Sequence, residues 1–182
     1  MKIVCISGKA QHGKDTTAGI LKNVLEEKGK TVLIAHYADL LKYICREYFG
    51  WNGKKDADGR ALLQYVGTDV VRKQRPNFWV DFIMDILGLF PDQWDYVLIP
   101  DCRFPNEIGA VKDAGFDVFT LRVIRCSFTS PLTQKQRQHL SETALDDYAF
   151  DALLLNTGSI PDLEKTIRES IPIWFQDLEG CT

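Results

Sequence analysis

An apolar, partly β-branched run, KIVCIS at residues 2–7, is followed at once by GKAQHGKD at residues 8–15. The run has the length and composition of a buried strand. Beyond the loop, Ala18, Leu21, Val24 and Leu25 recur at helical spacing until Gly29, so the chain opens as strand, glycine-bearing loop, helix. A loop of this form turns its backbone N–H groups around an anion, and the helix that follows adds its positive end. Gly8 and Gly13 supply turns and close approach that a Cβ would block. Lys14 brings a full charge to the terminal phosphates, and Lys9, His12, Asp15, Thr16 and Thr17 complete the expected nucleotide-phosphate contact set. Asp15 stands where the strict pattern has Ser or Thr. A hard cation such as Mg²⁺ keeps several waters in phosphate sites, so Asp15 can hold it through water while Thr16 offers its hydroxyl. The alternative is that Asp15 only complements the helix N-terminus.

Further along, TVLIAH (31–36), YVLIP (96–100), FDVFTLRVI (116–124) and ALLLN (152–156) read as strands. Residues 38–49, 60–74, 77–88, 107–114 and 161–171 read as helices. Alternation of this kind predicts an α/β three-layer sandwich around a mostly parallel central sheet. Two segments break the alternation: a helical block at 38–90 and a polar, Gln/Lys/Arg-rich stretch at 126–140. Both leave the sheet at its carboxyl edge, where ligands bind in such folds. The first is expected to be a substrate-binding insertion and the second a lid. GWNGKKDADG (50–59), including the DADG at 56–59, reads as a polar turn.

The length of 182 residues fits one domain, and a 45% apolar content supplies a core. A net charge of −3 gives no field for a nucleic-acid polymer. No apolar run is long enough to span a membrane or serve as a leader. Cys5, Cys45, Cys102, Cys126 and Cys181 form neither a CxxC pair nor a metal spacing, which suggests reduced thiols and a cytoplasmic location. Cys181 as penultimate residue does not fit a prenylation box. A homodimer is compatible with all of this.

Four stretches, SGKAQHGKDTTA, LLQYVGTDVVRKQRPNFWVDF, IPDCRFPNEIGAVKDAG and HLSETALDDYAFDALLLNTGSIPDLEK, resemble in order the signatures of the bacteriophage deoxynucleoside monophosphate kinases. These are P-loop enzymes related to adenylate kinase and, more distantly, to animal phosphomevalonate kinases. The resemblance covers Met1 to about Ile171. It implies phosphoryl transfer from ATP, with Mg²⁺, to a deoxynucleoside monophosphate or a nucleoside monophosphate. It also implies that Lys42 and Asp69 serve the monophosphate, that Ser141, Glu142, Asn156 and Gly158 flank the adenine, and that Arg137 acts from the lid.

The acceptor in such a reaction is itself a phosphate, with a second pKa of about 6, so no general base is required. The demand is for cations that converge on the transferring group. Arg103 and Asp101 follow a strand directly in IPDCRFP; Arg103 is expected to fork onto phosphate oxygens and Asp101 to orient Mg²⁺ through water. Arg125 ends the fourth strand and is expected to join them. Arg72 either reaches the acceptor phosphate or pairs with Asp69 on its own helix. Lys42 either faces the acceptor or is a solvated helix lysine. Trp79 either stacks on the base or packs in the core. Gln64 is a candidate reader of the base edge, and Asp147 and Asp151 read as turn and helix-cap residues. A phosphomevalonate-type acceptor and a non-catalytic nucleotide switch remain the competing readings.

Overall fold

The computed structural model describes residues 1–178, so Cys181 lies outside the described residues. Strand β1 (Lys2–Ser7) is central, flanked by β3 (Tyr96–Ile99) and β4 (Asp117–Arg125). The outer places go to β2 (Val32–Ile34) beside β3 and β5 (Ala152–Asn156) beside β4, giving the order β2-β3-β1-β4-β5. Every pairing is parallel, as expected where helices connect the strands. The β1–β3 register sets Lys2 opposite Tyr96 and Cys5 opposite Ile99. That register brings the loops leaving the two strands side by side.

Side chains of β1 alternate between two cores. Val4 and Ile6 join Leu21, Leu25, Ile167 and Ile171 of α1 (Lys14–Glu27) and α8 (Ile160–Trp174). Ile3 and Cys5 join the opposite core, built with α2 (Ala38–Phe49), α4 (Phe78–Leu89) and α5 (Pro105–Asp113). The helix after β1 and the helix after β3 thus cover opposite faces, and a crevice opens between the two strand ends.

Three elements differ from the sequence reading. The expected strand at 31–36 stops at Ile34 because residues 37–38 turn into α2, whose first N–H groups are held by Asp101. The expected turn at 56–59 is instead the start of α3 (Ala57–Gln64), capped by the Asp56 side chain, which accepts from Gly59 N at 2.9 Å. Within the expected helix at 60–74, Tyr65–Arg72 winds as a π-helix. There the Gly67 carbonyl accepts the Trp79 indole N–H at 3.0 Å, and a Cβ on Gly67 would lie 2.6 Å from a Leu41 methyl. Such widened turns gather at functional sites. Asp151 is not a helix cap: its carboxylate accepts from the N–H and hydroxyl of Thr120 at 2.8 and 2.6 Å, tying the approach to β5 onto β4. Residues 126–140, expected as a lid, hold the short helix α6 (Gln134–Arg137), and α7 (Leu140–Thr143) begins at their end.

Asp56→Ala should cost about 1 kcal/mol and lower Tm by roughly 2–4 °C, since only a helix cap is lost. Thermal melts of the two proteins check this; an unchanged Tm would mean that α3 does not depend on its cap.

Candidate active site at the strand ends

The loop after β1 has the anion-binding form. Gly13 is left-handed (φ 97°), and a Cβ there would meet the Asn156 amide at 2.8 Å. A Cβ on Gly8 would lie 2.5 Å from the Val123 carbonyl oxygen. No side chain caps the N-terminus of α1, which leaves its first N–H groups for an anion. Lys14 is 7% exposed, and its ammonium donates to the Lys9 carbonyl at 2.9 Å. Burial, then the neighbouring Arg103 charge, pushes its pKa down to about 7. Asn156 braces the loop by donating to the His12 carbonyl at 3.1 Å. His12 lies against the Val123 carbonyl and receives the Arg125 N–H at 3.3 Å, and burial lowers its pKa. Arg125 donates to the Gln11 carbonyl at 3.4 Å and stacks over Phe128. Lys9 is committed to the Asp146 carboxylate and the Glu142 carbonyl.

Of the expected cation ligands, Thr16 is exposed at the start of α1. Asp15 is exposed too, and its Oδ1 pairs with His36 Nε2 at 3.2 Å. That bond lowers the Asp15 pKa and raises that of His36. Asp101 is placed differently. Its two oxygens accept from Tyr37 N at 3.1 Å and Ala38 N at 2.9 Å, so the half-buried carboxylate caps α2 while lining the cleft beside Arg103. Burial raises its pKa. Among the described residues no three His, Cys, Asp or Glu side chains cluster as a metal cage. One or two carboxylates or hydroxyls near a phosphate loop still suit Mg²⁺, which keeps its waters and shares phosphate oxygens.

Arg103 reaches back over the loop. Its Nη1 donates to Gly8 O at 3.3 Å, Ser141 O at 3.4 Å and Glu142 Oε1 at 2.8 Å. Glu142 is itself on the loop, accepting from Ala10 N at 3.0 Å. It therefore lies against the loop after β1. Arg72 does not pair with Asp69; its Nη2 meets Glu107 Oε1 at 2.7 Å, and its guanidinium lies over the Phe104 ring at 4.0 Å.

A cleft runs from Arg103 into the helical block. Gln64, Gly67, Thr68, Arg72 and Trp79 form one wall, and Leu132, Gln136 and Ser141 of the lid side form the other. Two residues expected at the monophosphate, Lys42 and Asp69, lie outside this cleft, as do Arg137 and Gly158, which were expected on the ATP side. Lys42 pairs with Asp39 on its own helix at 2.7 Å. Asp69 faces a separate hollow beside Lys135 and His139. Arg137 is on the exposed face of α6. Gly158 lies beside Asp162 at the capping box of α8. Trp79 lines the cleft but is 3% exposed, with its N–H spent on Gly67, so packing is its main role.

Residues the sequence reading did not single out are also here. Glu107 is 1% exposed at the cleft floor; its signal was the Pro-x-Glu start of a helix, read only as a helix onset. Lys55, from the stretch expected as a turn, and Arg60, from the expected helix at 60–74, line the cleft. Arg122 ties Ser7 and Asp146 together beneath the loop at 3.3 and 2.9 Å; its place within a strand gave no hint of this.

Lys14 sets a pH prediction. Its pKa is near 7 folded against 10.5 unfolded, so the unfolded chain binds more protons between those values. Stability therefore rises with pH across that window, and Lys14→Met should lack this rise. A triphosphate that restores the charge at pH 8 should take up about one proton, read by calorimetry in buffers of different ionisation enthalpy. Equal heats in all buffers would show that Lys14 is charged beforehand. For Trp79, Trp79→Ala should cost about 3–5 kcal/mol in denaturant unfolding, while Trp79→Phe should leave acceptor affinity nearly unchanged. A rise in acceptor KM of about tenfold in a stable Trp79→Phe protein would make the indole a stacking platform instead.

Comparison with known proteins agrees with this geometry. A family model described as deoxynucleotide monophosphate kinase matches residues 49–167. The chain is 29% identical over 116 residues to the deoxynucleotide monophosphate kinase of Enterobacteria phage T4, a match covering 63% of this chain and 45% of that protein. It is 26% identical over 194 residues to a putative deoxynucleotide monophosphate kinase of Acanthamoeba polyphaga mimivirus, covering 92% and 94%. The chain thus spans about half the length of the phage relative and nearly all of the mimivirus one. Among solved structures, the Mycobacterium tuberculosis APS kinase in complex with AMPPNP and APS superposes with a TM-score of 0.52 at 18% identity, covering 99% of this chain and 98% of that one. Dephospho-CoA kinase from Campylobacter jejuni gives 0.52 at 12% identity, covering 97% of each chain. At these identities the structures speak for the P-loop kinase fold alone. With more than half of its length matched by the family model, on a P-loop kinase fold, this chain belongs to the deoxynucleotide monophosphate kinase family.

Proposed function

We propose that this protein transfers the γ-phosphoryl group of ATP to a deoxynucleoside monophosphate, giving the diphosphate and ADP. One observation carries the reading: Arg103 stands between the phosphate loop and a half-apolar cleft, touching Gly8 O on one side and lining the cleft on the other. A donor phosphate on the loop and an acceptor phosphate in the cleft would meet at this guanidinium. The acceptor's oxygen is already a nucleophile at neutral pH, so the chain's task is to align two anions and spread their charge. Lys14 holds the terminal phosphates of the donor. Arg103 bridges toward the acceptor, and Arg72 faces it from the π-helix. The apolar side chains Leu41, Leu63 and Phe104, with the Gln64 amide, suit a base and its edge. Leu132 and Gln136 of the lid segment help close the cleft from water. Mg²⁺ carried on the donor would be met by Thr16 and, through water, by Asp15, and would supply further charge neutralisation.

A second reading keeps the chemistry and changes the acceptor to another phosphorylated small molecule. It is favoured by Lys55 and Arg60, which line the cleft with no acidic side chain bound to either among the described residues. An ADP-release assay across the common dNMPs and NMPs separates the readings. Turnover with at least one dNMP is expected, and Arg103→Ala should lower kcat by about a hundredfold or more through lost transition-state contacts. Inactivity with every nucleoside monophosphate would overturn the proposal; tight nucleotide binding alongside it would point to a switch.

A further inference from the structure

Glu107 is the third residue of α5 and reaches back to the helix N-terminus, as in a capping box. An ordinary cap of this kind is solvated and needs only the N–H groups ahead of it. This one is 1% exposed. Its Oε2 accepts from Arg103 N at 2.5 Å and Phe104 N at 2.9 Å, and its Oε1 accepts from Arg72 Nη2 at 2.7 Å. One carboxylate therefore joins the backbone that carries Arg103 to the guanidinium of Arg72, which arrives from 35 residues away in sequence. The Phe104 ring beneath Arg72 and the Pro76 carbonyl at 3.2 Å fix the plane of the guanidinium. Arginine has five N–H donors. Arg72 gives one each to Pro76 and Glu107, and its Nε is buried without a partner. The fork is held firmly while its bonding capacity is not exhausted.

We propose that Glu107 is a positioning residue that aims both arginines at the acceptor's phosphate, Arg103 through its backbone and Arg72 through its side chain. The proposal rests on the kinase reading above. A cap alone would stabilise α5 and nothing more. A shared anchor makes acceptor recognition depend on Glu107 although it does not itself touch the acceptor.

The test is a double-mutant cycle of Glu107→Gln and Arg72→Met, with steady-state kinetics in both substrates and thermal melts. A Gln keeps one oxygen for the cap but turns an amide toward Arg72 or the backbone donors. Glu107→Gln should lower kcat/KM for the monophosphate by about ten- to a hundredfold, the loss of a charge-assisted bond, with little change in the KM for ATP. In the Arg72→Met background the same substitution should cost less, because the Arg72 part of the shared anchor is already gone and only the Arg103 part is left to lose. Where Glu107→Gln fails to fold, Glu107→Asp, which keeps the charge and shortens the reach, carries the same cycle. A lower Tm with unchanged acceptor kinetics, equal damage to both KM values, or fully multiplicative effects of the two substitutions would overturn the proposal. An active wild type with an indifferent Glu107 variant removes this inference alone, whereas a wild type that phosphorylates no monophosphate removes the kinase reading with it.

Discussion

Two carboxylates within the eight residues after β3, half-buried Asp101 and buried Glu107, hold the site together. Asp101 caps α2 through Tyr37 and Ala38, and Glu107 caps α5 while gripping Arg72. Between them Arg103 extends to the phosphate loop. These contacts tie the helical block to the loop after β3. Burial penalises both charges, and the pKa of each is raised for that reason. Breaking such a group's partners costs more than the pairing contributes, which makes the loop intolerant of change. Both acids are thus engaged with backbone or guanidinium N–H groups, and the proposed transfer requires no base.

Strands, phosphate loop and the helix at 38–49 were legible in the sequence because each is a local pattern. Apolar runs, a Gly-x4-Gly-Lys spacing and an amphipathic repeat need no partner to be recognised. Arg103 was legible for a similar reason, being placed directly after a strand. The π-helix was not, because Tyr65–Arg72 has ordinary helical spacing and its widening coincides with the Trp79–Gly67 hydrogen bond and the Leu41 contact. Lys42, Asp69 and Arg137 carry the right charges in the right stretch, but which face of a helix meets a cleft is decided by packing. Glu107 escaped because helix-start acids are common on surfaces, and only the arrival of Arg72 makes this one unusual.

The same distinction explains the displacement of Glu142. Its neighbourhood in sequence suggests the lid and the adenine, yet α7 turns it inward onto Ala10 N and Arg103. Asp146 likewise joins Lys9 and Arg122 below the loop. Segments distant in sequence thus supply counter-charges to the phosphate loop, and the acids that seemed peripheral form the wall behind it.

That wall has a consequence for selectivity. Arg103 is paired with Glu142, Arg72 with Glu107, and Lys9 with Asp146, so several cations near the loop already hold a carboxylate. A neutral ligand offers nothing to exchange for those bonds. A dianionic phosphate can share the unused donors of each guanidinium and compete with Glu142 for Arg103, at a place where low exposure strengthens every charge interaction. Lys14 contributes in the same sense. Its ammonium is disfavoured by burial and by Arg103, and incoming negative charge works against that balance. The carboxylates therefore keep the cations in place, and on the proposed function a phosphorylated ligand has more to exchange for those bonds than its unphosphorylated form.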